Sequence, residues 1–224
     1  MPKLTVIIPF TSSNETASKM TARCAERFQD CADSEGIDAD VFIIDTIDMT
    51  NHGSKANAMG AEEGVRMADS KYVMTSHNDV IVMPGLLTEL LRLIREKENG
   101  LVGCIRNHPA IQDHPVHISG MLFEKEIYTS CPFLPKDWGR LDVGDAHTEW
   151  CRDVLNQKDV VLTNTLNNPE IIDRLYEIDP RHKGYPGEVA VLGNDQVLWI
   201  HVGRGSTKSD RPAMFHELCD LYPL

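Results

Sequence analysis

Three short runs decide what this chain can fold into. Leu4 to Pro9, Val41 to Asp45 and Lys71 to Thr75 are strand-length stretches rich in apolar and β-branched residues. Continuous rather than alternating hydrophobicity marks strands covered on both faces, the condition of a parallel sheet. Parallel strands need crossovers, and the segments between these runs have helical period. Ala17, Met20, Cys24, Phe28 and Cys31 fall on one helical face, after a polar turn from Thr11 to Asn14 that offers N-cap side chains. Ala58, Ala61, Val65 and Ala68 do the same in a helix beginning at Ser54. Val80 to Met83 continues apolar, and Pro84 opens a helix with Leu86, Leu87, Leu90, Leu91 and Ile94 inward. With a strand from Leu101 to Ile105, residues 1–105 read β-α-β-α-β-α-β. That order predicts an α/β fold: an open, mostly parallel twisted sheet with helices on both faces.

The remainder is less regular. Ile118 to Phe123, Val160 to Leu162 and Val197 to Ile200 read as strands, Asp145 to Leu155 as a helix, and His108 to His117 as a Pro-rich loop. There is no repeat and no clean linker, so residues 1–224 are expected to form a single domain.

Composition narrows the function. A net charge of −12 repels phosphate backbones and argues against a nucleic-acid partner, while leaving room for a local basic pocket for a diphosphate. The longest apolar runs are strand-length, so no membrane span is expected. The first residues carry no long apolar leader region, which predicts a mature, cytoplasmic chain. The 6 cysteines include no CxxC pair and fit reduced thiols. P-loop and dinucleotide fingerprints are absent.

In an open parallel sheet, ligands bind beyond the carboxyl ends of the strands. Three polar features fall there: the turn from Pro9 to Asn14, Asp45, and His77-Asn78-Asp79. Asp79, with His77 two residues earlier, can supply ligands to Mn²⁺ or Mg²⁺, and such an ion would neutralise a diphosphate leaving group. The competing role for the same residues is to cap a turn. His108, His114 and His117 match no structural zinc spacing.

Gly53-Ser54-Lys55-Ala56-Asn57-Ala58-Met59-Gly60, followed by Tyr72 through Asp79 and by Val80 through Met83 with Pro84-Gly85, resembles the core of family 2-type glycosyltransferases with the GT-A fold. In that family a small-residue loop and an Asn open a helix, a buried strand delivers a DxD motif, and Pro-Gly precedes the next helix. Thr5 to Pro9 is similar to the family's first strand. Val41 to Asp45 is similar to the strand whose terminal acid contacts the nucleoside. His77 stands where the first Asp of DxD usually sits, and Asp79 where the second sits. Ser119 to Phe123 resembles the acceptor-side strand, and Gly144-Asp145-Ala146-His147 the start of the helix carrying the catalytic base. Trp199 to Ser206 resembles a late His-x-Gly segment that completes the metal or diphosphate site.

The resemblance implies a glycosyltransferase with a nucleotide-binding half, 1–105, and an acceptor-side half, 106–224. Pro9, Phe10, Thr11 and Asp45 would hold the nucleoside of a UDP- or GDP-linked sugar. Lys55 and Asn57 would order the loop near the ribose or phosphates. Asp79 and His201 would hold Mn²⁺ or Mg²⁺, with His77 and Asn78 beside them. Arg204, followed by Lys208 and Arg211 in a Gly/Ser-rich stretch, would fold over the diphosphate, a solvated C-terminal loop being the other reading of that stretch. Asp145 would be the base for an acceptor hydroxyl on a glycan, lipid or small molecule, with Asp142 and Glu149 as rivals and helix capping as its other role. Transfer in this family normally inverts the anomeric centre. A nucleotidyltransferase would place a Gly-rich basic loop after the first strand, where this chain has Phe10-Thr11-Ser12-Ser13-Asn14. A non-catalytic binding module is favoured by His77 and opposed by Asp79, Asp145 and His201.

Overall fold

The computed structural model describes residues 3–12, 15–49, 53–96, 101–104, 119–130, 162–165, 188–192, 196–202 and 211–224. In chain order the described elements are β1 (Leu4–Phe10), α1 (Glu15–Ser34), β2 (Ala39–Asp45), α2 (Gly53–Met67), β3 (Tyr72–Ser76), β4 (Val80–Val82) and α3 (Leu86–Glu96). They continue with β5 (Leu101–Gly103), β6 (Gly120–Glu124), α4 (Lys125–Ser130), β7 (Leu162–Thr165), β8 (Glu188–Leu192), β9 (Gln196–His201) and α5 (Arg211–Leu221).

Six strands form the main sheet in the order β2-β1-β3-β6-β5-β7. β1 pairs in parallel with β2 and β3, and β5 with β7. β6 runs antiparallel to both β3 and β5. The expected mostly parallel α/β sheet is therefore present, with one reversed strand inserted between β3 and β5. A second departure concerns β4. It leaves the main sheet and pairs antiparallel with β9, in a three-stranded sheet ordered β4-β9-β8. The apolar run Val80 to Met83 is thus not a continuation of β3 but the edge of a second sheet.

The strand pleat divides the core. Leu4, Val6 and Ile8 face Met20, Cys24 and Phe28 of α1, Leu86 and Leu90 of α3, and Phe215 and Leu218 of α5. Ile7, Val73 and Phe123 face Ala61 and Val65 of α2. Helices accordingly cover both faces. Two glycines let α2 lie directly on β1. A Cβ at Gly60 would lie 2.7 Å from Thr46 Cγ2 and 2.8 Å from Pro9 Cβ, and one at Gly64 would collide with the Ile7 side chain.

Side chains of α1 and of the turn that ends it anchor the neighbouring elements. The helix ends in a Schellman turn, with Ile37 N–H donating to Ala32 O at 2.8 Å and Gly36 at φ 63°. Glu35, in that turn, caps α3 by accepting from Gly85 N–H at 2.8 Å and Thr88 N–H at 2.6 Å. Buried Arg27 donates to Val82 O of β4 and to Cys219 O and Tyr222 O at the end of α5. α1 is thereby the clamp on both β4 and α5.

Other boundaries differ in detail. α3 starts at Leu86 rather than Pro84. Of the strand expected at Val160 to Leu162, Leu162 opens β7, and the other two positions lie outside the described residues. The C-terminal stretch around Lys208 and Arg211, open to reading as a loop, contains α5 from Arg211 onward. The helix expected from Asp145 to Leu155 lies outside the described residues. Among the described residues no helix is long and apolar enough to cross a membrane.

Candidate metal centre and adjoining sheet edge

Because β1, β2 and β3 are parallel, their carboxyl ends at Phe10, Asp45 and Ser76 share one edge of the sheet. At that edge Thr46 latches β2 to β1. Its N–H and its hydroxyl both donate to Phe10 O, at 2.8 and 2.9 Å. With the Thr46 hydrogen committed there, Thr11 Oγ1 donates to Thr46 Oγ1 at 2.9 Å. Asp45 Oδ1 accepts from Ser12 N–H at 3.2 Å and Ile47 N–H at 3.1 Å. Slight desolvation pushes the Asp45 carboxyl up, but donors from Ser12, Ile47 and Thr46 outweigh it and hold the group below its ordinary value. The result is an exposed, oriented carboxylate. Pro9 is buried against Gly60, while Phe10 and Thr11 are half-buried. Asn57 is half-buried in α2, and Lys55 is placed by its backbone in the first turn of the same helix.

Beyond β3, the turn into β4 carries His77 and Asp79. β9 ends beside it, with Val80 in register with His201 and Val202 N–H donating to Asp79 O at 3.0 Å. This antiparallel pairing brings together residues 124 positions apart. His201 Nε2 lies 3.2 Å from Asp79 Oδ1 and 3.3 Å from His77 Nδ1. One ligand atom from each of the three lies within 4.8 Å of the others. Asp79 is 3% and His201 5% exposed, and His77 is half-buried. A single hydrogen on His201 Nε2 serves one of its two short contacts well, whereas a cation serves all three lone pairs at once. Metal–ligand bonds of about 2.1 Å put neighbouring ligand atoms roughly 3.0–3.4 Å apart, and both contacts of His201 Nε2 have the spacing of ligands on one divalent ion.

No protein-family model matches the sequence, and no curated protein matches it. The structure does have relatives. A glycosyltransferase involved in the glycosylation of the major capsid of PBCV-1 is similar with a TM-score of 0.55 and 8% identity, over 96% of this chain and 100% of that one. The catalytic domain of Drosophila β1,4-galactosyltransferase 7, solved with xylobiose, is similar with a TM-score of 0.54 and 13% identity, over 96% of this chain and 80% of that one. This chain has a GT-A-like glycosyltransferase fold. A mannosyltransferase from Pyrobaculum calidifontis, solved with GDP-Man and Mn²⁺, shares that fold at a TM-score of 0.50 and 12% identity, covering 100% of this chain and 76% of that one.

Within this GT-A-like frame, residues without chemistry of their own hold the turn that carries His77 and Asp79. Cys24 Sγ donates to His77 O at 3.4 Å. Burial pushes its thiol well up, so it stays a neutral donor. Asn78 Nδ2 donates to Thr21 Oγ1 at 3.1 Å, which in turn donates to Ala17 O at 2.8 Å. The Asn78 side chain is therefore turned into α1, while its neighbours His77 and Asp79 meet His201. Trp199 Nε1 donates to Ser119 O at 3.1 Å, and its ring lies 5.8 Å from that of His201. Gly120 makes room for that indole, since a Cβ there would lie 3.1 Å from Trp199 Nε1. These supports were not legible in the sequence. Thr21 and Cys24 carry only a helical-face signal, and nothing local pairs either with a turn more than 50 residues away. Asp145, Arg204 and Lys208, with the rivals Asp142 and Glu149, lie outside the described residues.

Proposed function

We propose that this protein is a glycosyltransferase that moves a sugar from a nucleoside diphosphate-sugar to an acceptor hydroxyl, with a divalent ion held by His77, Asp79 and His201. The observation that carries the reading is the convergence of that triad beyond β3, in a fold shared with glycosyltransferases and on the sheet edge that carries Asp45. The Pyrobaculum mannosyltransferase, solved with GDP-Man and Mn²⁺, supports a nucleotide-sugar donor and a metal.

Asp45, oriented and ionised, accepts hydrogen bonds from ribose hydroxyls. Pro9, Phe10 and Thr11 form the wall beside it, with Lys55 and Asn57 toward the ribose or phosphates and Arg204 over the diphosphate. When bound, the ion would offset negative charge developing on the diphosphate leaving group. Asp145 takes the proton of the acceptor hydroxyl as its oxygen attacks the anomeric carbon, and a single in-line displacement inverts that centre.

Calorimetry with UDP- and GDP-sugars in Mn²⁺ tests the donor site: binding is expected, and Asp79→Ala abolishes it. Failure to bind any nucleotide with or without metal would sink the proposal. Asp145→Asn keeps donor binding and loses transfer, and unchanged turnover removes Asp145 from this role.

A further inference from the structure

We infer that the triad selects later first-row divalent ions, such as Co²⁺, Ni²⁺ or Zn²⁺, over Mg²⁺, and that His77 sets this preference. The inference rests on the proposed metal site but not on sugar transfer. Two of the three converging donor atoms are imidazole nitrogens, and one is a carboxylate oxygen. Mg²⁺ demands hard oxygen ligands and gives up its waters reluctantly. Imidazole nitrogen instead favours the borderline ions late in the row, in the order Mn²⁺, Fe²⁺, Co²⁺, Ni²⁺. Two neutral donors also leave the set with one negative charge, from Asp79, so electrostatic attraction for a hard ion is weak.

The placement sharpens the choice. Asp79 and His201 are buried and cross-linked through the β4–β9 pairing, so their positions are set by the sheet. The His201 ring is backed by Trp199, and its Nε2 lies 3.3 Å from His77 Nδ1. An ion drawn to His201 and Asp79 therefore meets the His77 nitrogen as its third protein ligand. His77 differs from the other two in being half-buried, and its backbone is held independently of its ring. Its carbonyl accepts from Cys24 Sγ at 3.4 Å and lies 3.2 Å from Ser76 Oγ. The ring can be exchanged while the turn keeps its supports.

The test uses the purified full chain without nucleotide. Co²⁺ is titrated by visible absorption, and Mg²⁺, Mn²⁺ and Co²⁺ by calorimetry, for the wild type, His77→Asp and His77→Gln. Circular dichroism and melting confirm that each variant is folded. The wild type is expected to bind Co²⁺ with an imidazole-type absorption band and Mg²⁺ at least roughly 100-fold more weakly. His77→Asp is expected to narrow the Mg²⁺-to-Co²⁺ ratio of dissociation constants by about tenfold or more, and His77→Gln to weaken Co²⁺ while gaining no Mg²⁺ affinity. An unchanged ratio in folded His77→Asp overturns the inference, as does wild type that binds no Co²⁺ or binds Mg²⁺ equally well. Binding of a nucleotide-sugar, measured separately in the presence of Mn²⁺, shows whether the donor reading survives such a failure.

Discussion

The hydrogen bond between Asn78 and Thr21 offers a direct measure of how the turn carrying His77 and Asp79 is held. Both residues are buried, Thr21 at 1% and Asn78 at 7% exposure, and the bond is 3.1 Å long. Thr21→Val keeps the shape and removes the acceptor. Ala17 O loses a side-chain donor but keeps its helical N–H partner, so the cost falls mainly on the stranded Asn78 amide. Leaving a buried donor unsatisfied costs about 1–3 kcal/mol. For a chain of this size each kcal/mol moves the melting temperature by about 2–4 °C, so a fall of roughly 2–12 °C is expected. Asn78 lies between His77 and Asp79, so slack in the turn also weakens metal binding, by about tenfold on the scale of outer-shell losses. Thr21→Ser preserves both properties. Combining Thr21→Val with Asn78→Leu removes the donor as well, and the double variant should lose about 1 kcal/mol less than the sum of the single losses. Urea unfolding and a Co²⁺ titration read the two effects. A Thr21→Val protein within about 0.5 kcal/mol of wild type, with undiminished metal affinity, would refute the reasoning.

Packing and electrostatics give three further outcomes. Gly64→Val drives a side chain into Ile7 at the α2–β1 contact and should cost about 3 kcal/mol in a denaturant melt, with Gly60→Ala milder. Arg27→Met strips the donors from Val82 O, Cys219 O and Tyr222 O and should cost about 2 kcal/mol, with hydrogen exchange accelerating first in α5. Asp45 ionises more readily in the folded chain than in the unfolded one. Its contribution is therefore complete above the unfolded value of about 3.9 and is lost as pH falls through the lower folded value. Melts of Asp45→Asn and wild type between about pH 6 and pH 3 should converge toward the acid end, and a constant gap would contradict the assigned shift.

The sheet was readable where burial is two-sided. Leu4 to Phe10, buried through its first six residues, and Tyr72 to Ser76, buried throughout, are flanked by helical period, and that combination has few other solutions. Ala39 to Asp45 reads the same way but is the edge strand of the sheet, and only Ile44 in it is buried, so the expectation of cover on both faces fails there. Direction was not readable. Met121, Leu122 and Phe123 would serve a parallel or a reversed strand equally well, and β6 is reversed. Nor does the run Val80 to Val82 say which sheet it joins, because three buried residues have the same pattern in either. α5 did leave a trace: Pro212 near its start and Met214, Phe215 and Leu218 at helical spacing, beside a Gly/Ser-rich stretch that drew attention to a loop. For the site, sequence located His77, Asp79 and His201 separately, but only the β4–β9 ladder places His201 against the other two. The inward turn of Asn78 was hidden for the same reason, since its partner lies on α1.

The β4–β9 pairing also governs when the candidate metal centre can form and how freely the chain around it can lengthen. His77 and His201 are 124 positions apart, so the ligand set is completed only once β9 has been synthesised and has closed a long loop. Closing it costs on the order of 4 kcal/mol in chain entropy, and doubling its length would add only about 0.6 kcal/mol. Connections within that segment can thus lengthen with little thermodynamic effect on the candidate metal centre, provided β9 still reaches β4 and Ser119 and Gly120 still support Trp199. Ligand geometry and the intervening surface are separable, so one can be held constant while the other diverges.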